Sequence, residues 1–589
     1  MSDLAPTPPA NARPAGEGAA EGRLVACPAS DRPAARDLAR PLSLGVMAIL
    51  ALIIAGLTAV ILVACDGHLI YALDDPYITL SLARHIAHGE YGINTGEAAS
   101  PSSSILYPLL LAAFAWASWQ DWVPLIVNAG AALATGALFA GAFCRWGVIT
   151  RLDQRVWGVV LVVALCLATN TVGLVLGGLE HSLHALTSVF VVLALARAFE
   201  TDRAPTSLIV AIVLLPLWRF EGAALAGLAI AALAIVRQRR AAAIALFGIA
   251  ACVGAYMAAM HALGLPLLPS SVLRKSAVAT QAVNGSAGLI GAVARNAFAN
   301  IDGEAIPVLL LILVVGAHPL LRAAGSRVAV GPHRHGPHRH GPHRLIPARE
   351  WLFGGVVAGA LAAQVVFGRW GGGFARYEAY ALALGAAGGI VLWGPALGAL
   401  FARRRPLINT VAVLTVLLIG QISLAATGLS PLSARGIYEM HYQMRRFVVD
   451  FYRRPVAAID IGLLGYKNPY YVLDLWGLGS EAVREARSRG EFDTAWLDRL
   501  IAARHVGVAM VYDNFFAGQI PADWLRIGVL YAAHRPAGYD KLAFYATSRS
   551  AVPAALAALR AFSQTTGPGT RVTIFADAAS PAAPGSKQP

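Results

Sequence analysis

Long apolar runs dominate the chain as far as residue 428 and then stop. They lie at 43–65, 104–119, 123–144, 156–178, 182–198, 206–219, 222–236, 241–263, 304–322, 351–368, 379–401 and 407–428. Most approach the length a helix needs to cross a bilayer, about 20 residues. Backbone inside a bilayer must satisfy its own hydrogen bonds, so these runs are expected to be helices. The stretch 104–119 sits at the low edge of spanning length and reads as a juxtamembrane or re-entrant helix. Beyond 428 polar residues become frequent. Short β-type runs at 456–464, 506–512 and 572–576 alternate there with helical patterns at 479–490 and 494–504. That alternation predicts a small α/β domain over 429–589. The expected fold class is an all-α polytopic membrane protein of about eleven transmembrane helices over 43–428, with a C-terminal extracytoplasmic α/β domain.

Composition agrees with this pattern. Of 589 residues, 57% are hydrophobic and 14% charged, against about 25% charged in soluble domains. The net charge of +14 would point to nucleic acid in a soluble protein. Here the arginines fall in short loops between spans, so they set orientation instead and no nucleic-acid partner is expected. With the N-terminus inside, Arg145/Arg151/Arg155, Arg197/Arg203, Arg237/Arg239/Arg240, the loop 323–350 and Arg403/Arg404/Arg405 all fall on the cytoplasmic side. Asp74, Asp75, Glu90, Glu97, Glu180, Glu221, Asp302, Glu304 and Glu378 fall on the other. The expected location is a bacterial inner membrane. Residues 1–42, rich in Pro, Ala and Arg, read as a disordered cytoplasmic tail before a retained first span. The His/Arg repeat at 331–344 reads as a flexible basic loop, with metal binding as the alternative. Five cysteines without a CxxC pair imply neither a disulfide framework nor a zinc site.

Candidate chemistry gathers in the outward segments. Asp74-Asp75-Pro76-Tyr77 follows the first span and opens the outer loop 66–103. Carboxylates at a membrane boundary are costly to desolvate and usually face water or a functional cavity. Pro76 suits the first turn of an interfacial helix over 76–88, and Asp75 suits its N-cap. Asp74 is then the freer carboxylate, able to take a proton from an attacking hydroxyl. Glu180 and His181 open another span, and Arg219 and Glu221 interrupt an apolar pair. Ser270, Arg274 and Lys275 follow the span 241–263, and Arg369, Arg376, Tyr377 and Glu378 follow 351–368. Cations on the outer side run against the positive-inside trend. They could clamp a phosphate, with anchoring to lipid headgroups as the plainer role. The chain has no P-loop and no well-placed GxGxxG.

The ordered set Asp74-Asp75-Pro76-Tyr77, Gly178-Leu179-Glu180-His181, Arg219-Phe220-Glu221-Gly222, Leu268-Pro269-Ser270-Ser271 with Lys275, Arg376-Tyr377-Glu378, Asp460-Ile461-Gly462 and Asp474-Leu475-Trp476-Gly477-Leu478 resembles bacterial GT-C-type glycosyltransferases. It is most similar to mycobacterial arabinofuranosyltransferases and protein-mannosyltransferase-like enzymes. The resemblance implies an inverting transfer from a polyprenyl-phosphate-linked sugar to a cell-envelope glycan, lipid or protein acceptor on the extracytoplasmic side. It makes Asp74 or Asp75 the base, and Arg274, Lys275, Arg369 and Arg376 the cations for the leaving phosphate. Tyr77, Glu180, His181, Arg219, Glu221, Ser270, Tyr377 and Glu378 become substrate contacts. Two departures stand out: Asp75 occupies a position where several relatives have Glu, and the His/Arg repeat is foreign to the family. No cofactor is implied with certainty, and a divalent metal is left open. The rival readings are a secondary transporter, which would need a second interrupted helix pair matching 218–222, and a membrane scaffold with an outer binding domain.

Overall fold

An apolar helix exposed to lipid on one side and packed on the other shows buried residues on one stripe only. The first helix does this. Leu38, Leu42, Val46, Leu50, Ile54 and Ile61 are buried, while Leu44, Leu52, Val60 and Val63 stay exposed. Its buried stripe packs on the helix Val123–Arg145. Gly136 permits that approach, since a Cβ there would come within 2.7 Å of Leu50 and 2.9 Å of Val46.

The computed structural model describes residues 35–579 apart from 284–287, 302–304, 329–346, 371–372, 403–405 and 536–537. Most of the tail 1–42, the His/Arg repeat, Asp302, Glu304 and Arg403/Arg404/Arg405 therefore lie outside the described residues. Among the described residues, six helices are long and apolar enough to cross a membrane: Asp37–Ala64, Gln120–Arg145, His181–Thr201, Arg239–Ala262, Pro347–Phe367 and Ala379–Phe401. Three bent pairs raise the number to nine if each is one span. The chain is a multi-pass membrane protein. Helices Thr206–Trp218 and Gly222–Ile235, of 13 and 14 residues, rise only about 20 Å each. The expected count of eleven requires both of them as crossings too. The stretch 104–119 forms the seven-residue helix Leu106–Ala112 followed by turns.

The last membrane helix, Gln421–Ile437, runs on through two π-helical turns, Tyr438–Tyr442 and Phe447–Tyr452, into the C-terminal domain. There a six-stranded sheet is built from β1 (Val456–Ala458), β2 (Val472–Asp474), β3 (Val508–Val511), β4 (Leu525–Ala532), β5 (Lys541–Ala546) and β6 (Thr570–Ala579). Its order is β2-β1-β3-β5-β4-β6. β1 pairs in parallel with β2 and β3, and the remaining pairs are antiparallel. Successive strand residues face opposite layers. Val508 and Met510 join the core under helix Val552–Ser563, whereas Ala509 and Val511 join the core under helices Glu481–Arg489 and Thr494–Ala503.

The loop after the first helix, 66–103, ties this domain down. Asn94 accepts from the Val472 N–H and donates to the Val472 carbonyl, both at 2.9 Å. It thus imitates a neighbouring strand along the free edge of β2.

Candidate active site

The helix after the first span begins at Asp75 itself and runs Asp75–Ala87, with Pro76 in its first turn. Asp75 is therefore the first helical residue and not the expected N-cap. Asp74 holds the cap position without capping this helix. Its carboxylate instead reaches across to the C-terminal domain. It accepts from the backbone N–H of Gly462 at 2.8 Å and of Leu463 at 2.9 Å. A side chain at 462 would run into the Asp74 carbonyl and carboxylate, so only glycine allows this approach.

Two groups from the C-terminal segment complete the cluster. The first π-helical turn carries His441, whose Nε2 lies 3.0 Å from Asp460 Oδ2. The Tyr512 hydroxyl donates to the same oxygen at 2.6 Å. Burial pushes the Asp74 carboxyl up to about 6, and the nearby Asp460 charge adds to that against the pull of His441 and the two N–H donors. For Asp460 burial acts upward too, but the hydrogen bonds from His441 and Tyr512 outweigh it and hold the carboxyl below its usual range. The two carboxylates are thus set apart: one stays ionised, and the other titrates near neutrality.

Asp74, His441 and Asp460 present ligand atoms within 4.8 Å of one another, the one such group among the described residues that could hold a metal ion. Two carboxylates and an imidazole are a suitable donor set. Their atoms are already engaged by Gly462, Leu463, Tyr512 and one another, so an ion would have to displace the His441–Asp460 contact.

Asp75 faces the membrane domain. Its Oδ2 lies 2.7 Å from Arg376 Nη2, which also donates to the Tyr377 hydroxyl at 3.0 Å. Arg376 is buried, and its Nε and Nη1 have no hydrogen-bond partner among the described residues. The segment that presents it is strained: Gly373, Phe374 and Ala375 have φ of 52°, 75° and 51°. The left-handed region is costly for side chains with a Cβ, and most costly for a bulky one. Amide side chains hold the segment in place. Asn170, itself at φ 57°, donates to the carbonyls of Phe374 (2.7 Å) and Ala375 (3.2 Å). Gln364 donates to the Arg369 carbonyl at 2.9 Å and the Tyr377 carbonyl at 3.3 Å. Asn296 and Asn300 each bond the Gly368 carbonyl at 3.0 Å.

Two cavities meet at this point. One, of about 340 Å³, lies among the membrane helices and is lined by Ser103, Glu180, His181, Arg219, Glu221 and Tyr380 among others. The other, of about 660 Å³, lies against the C-terminal domain and is lined by Asp74, Asp460, Arg274, Trp476, Tyr512 and Tyr539 among others. Asp75, Arg369, Arg376 and Tyr377 line both. In the first cavity Arg219 is bound at 2.7 Å by Glu180 and by Glu221 and at 3.2 Å by Ser103. Its charge is spent on its neighbours, and it braces the wall.

The structure thus brings together Asp74, Asp75, Arg274, Arg369, Arg376, Tyr377, Glu180, His181, Arg219 and Glu221. Three expected contacts are placed elsewhere. Tyr77 is buried, its hydroxyl bonded to the Tyr71 N–H and the Leu69 carbonyl, and it lines neither cavity. Ser270 spends its N–H on the Ser100 carbonyl, and Ser271 lines the cavity in its stead. Glu378 is buried at the N-cap of helix Ala379–Phe401 and lines neither. Lys275 ends the short helix Ser270–Lys275, and its side chain is outside the described residues. Asp474 bonds the N–H groups of Trp476, Leu478 and Gly479 and shapes the turn that carries Trp476. His441, Tyr512, Phe515 and Tyr539 were not anticipated. Asp460 and Trp476, within the quoted Asp460-Ile461-Gly462 and Asp474-Leu475-Trp476-Gly477-Leu478, carried a signal.

Residues 434–550 match the family described as Domain of unknown function (DUF8728). Among curated proteins no relative matches. Solved structures with a similar course include the apo form of the Archaeoglobus fulgidus oligosaccharyltransferase. It is 11% identical, with a TM-score of 0.44, over 86% of this chain and 74% of that one. A likeness at that level identifies neither residues nor activity.

Proposed function

We propose that this chain is an inverting membrane glycosyltransferase of the GT-C type. It moves a sugar from a polyprenyl-phosphate-linked donor to a cell-envelope acceptor on the extracytoplasmic side. One observation carries the reading: buried Arg376, whose Nε and Nη1 have no hydrogen-bond partner among the described residues, stands between two carboxylate-lined cavities. A buried cation with unmet hydrogen bonds calls for an anion, and a phosphate leaving group is one.

The donor occupies the cavity among the membrane helices, with its phosphate at Arg369 and Arg376 and its isoprenoid chain along the helices. The acceptor hydroxyl comes from the cavity under the C-terminal domain. Asp74 takes the hydroxyl proton as the oxygen attacks the anomeric carbon. The bond from that carbon to the phosphate oxygen breaks on the opposite face, so configuration inverts. Polyprenyl phosphate leaves with the electron pair, and the two guanidiniums stabilise its developing charge. Asp75 acts differently from Asp74: paired with Arg376, it holds the guanidinium in place.

The test is Asp74→Asn and Asp75→Asn, singly and together, at unchanged protein level. Loss of general-base catalysis predicts a fall of about 10²–10⁴-fold in glycan product for Asp74→Asn. Product that persists in the double variant would overturn the reading. Loss of uptake of a solute in its place would favour a transporter.

A further inference from the structure

The cavity under the C-terminal domain is lined by both aromatic rings and carboxylates. Trp476 and Phe515 meet with centroids 5.1 Å apart, and the Arg274 guanidinium stands 4.5 Å from the Trp476 ring. Buried Tyr512 stacks on half-buried Tyr539 at 4.3 Å and 15°. Asp74, Asp75 and Asp460 line the same cavity, Asp460 bonded to the Tyr512 hydroxyl at 2.6 Å. Every one of these aromatics comes from the C-terminal domain, and Trp476, Tyr512, Phe515 and Tyr539 fall within the stretch of unknown function, 434–550.

We propose that this domain forms the acceptor subsite and that the acceptor is a carbohydrate chain. The inference rests on the transferase reading and deepens it. A sugar offers an apolar C–H face to an aromatic ring and a rim of hydroxyl donors to carboxylates, and this cavity provides both partners. Its volume of about 660 Å³ suits a bound small molecule, for which pockets run roughly 300–1,000 Å³. A peptide fits less well. Its usual mode is addition to a free strand edge, and the edge of β2, which leads into Trp476, is already closed by Asn94. A hydrocarbon chain offers no hydrogen-bonding group to a wall that carries three carboxylates.

Binding is measured on the full chain in a lipid nanodisc, without donor, by ligand-observed NMR. The probes are short linear oligosaccharides of hexoses and of pentoses, with a short peptide and a phospholipid vesicle in comparison. At least one oligosaccharide binds the unaltered protein. Phe515→Ala and Tyr539→Ala weaken it by about tenfold each, the scale of one aromatic contact. Phe515→Tyr and Tyr539→Phe restore binding, which a merely structural loss would not. No oligosaccharide binding, binding unmoved by the alanine variants, or binding of the peptide alone would each overturn the inference. A chain that bound oligosaccharide normally yet transferred nothing would overturn only the transferase reading. Donor-dependent transfer to a peptide, with no sugar bound, would overturn only this one.

Discussion

Two adjacent aspartates of one type take on different chemistry because the next residue's direction differs. Asp74 points to backbone N–H groups of the C-terminal domain and to a second carboxylate, and burial lifts it to about 6. Asp75 points to a buried guanidinium. A base works only when unprotonated, so as the proposed base Asp74 is active above its pKa and silenced below. The acidic limb of kcat against pH should therefore lie near 6, with the rate falling about tenfold per unit below that value. An acidic limb near 4, typical of an unperturbed carboxylate, would assign the base to another group. The same pair marks how much of the site could be read in advance. Two acids after a span and cations in the loops expected outside carry their own signal, because charge at a membrane boundary is expensive. Tyr77 carried none that separates a buried hydroxyl from a ligand contact. His441 lies in a chain of aromatic and polar residues whose π-helical path no periodicity announces.

At the scale of elements, the site depends on amides placed at a helix break and within helices. Asn170, Gln364, Asn296 and Asn300 bond the backbone of 365–377 and hold Arg369, Arg376 and Tyr377 at the wall between the cavities. A residue held in the left-handed region costs on the order of 1–3 kcal/mol, so Phe374 and Ala375 would relax if released. Asn170→Ala should leave the protein folded in the membrane but raise the KM for donor by about tenfold or more, with a smaller effect on kcat. Titration of donor against initial rate checks this; an unchanged KM would show that the segment holds itself. The helices and the mixed domain were legible because hydrophobic period and length survive any packing. Strands β2, β4 and β5 were not, since their runs are short or interrupted, and strands of that kind are stabilised by their neighbours rather than by local sequence. The amide clamps were invisible for a related reason: a polar residue within an apolar run looks the same whether it bonds a carbonyl or a ligand.

For the whole molecule, neither half has a complete site. The membrane domain supplies Asp74, Asp75, Arg369 and Arg376, and the C-terminal domain supplies Asp460, Tyr512 and the N–H groups that hold Asp74. The central claim is that a polyprenyl-phosphate sugar sits at the shared wall and loses its sugar there. Mass spectrometry of lipid that copurifies with the protein tests it most directly. The Asp74→Asn chain should carry polyprenyl phosphate with its sugar attached, and the unaltered chain should carry the same lipid largely stripped of sugar. An absence of polyprenyl-phosphate lipid from both would contradict the account.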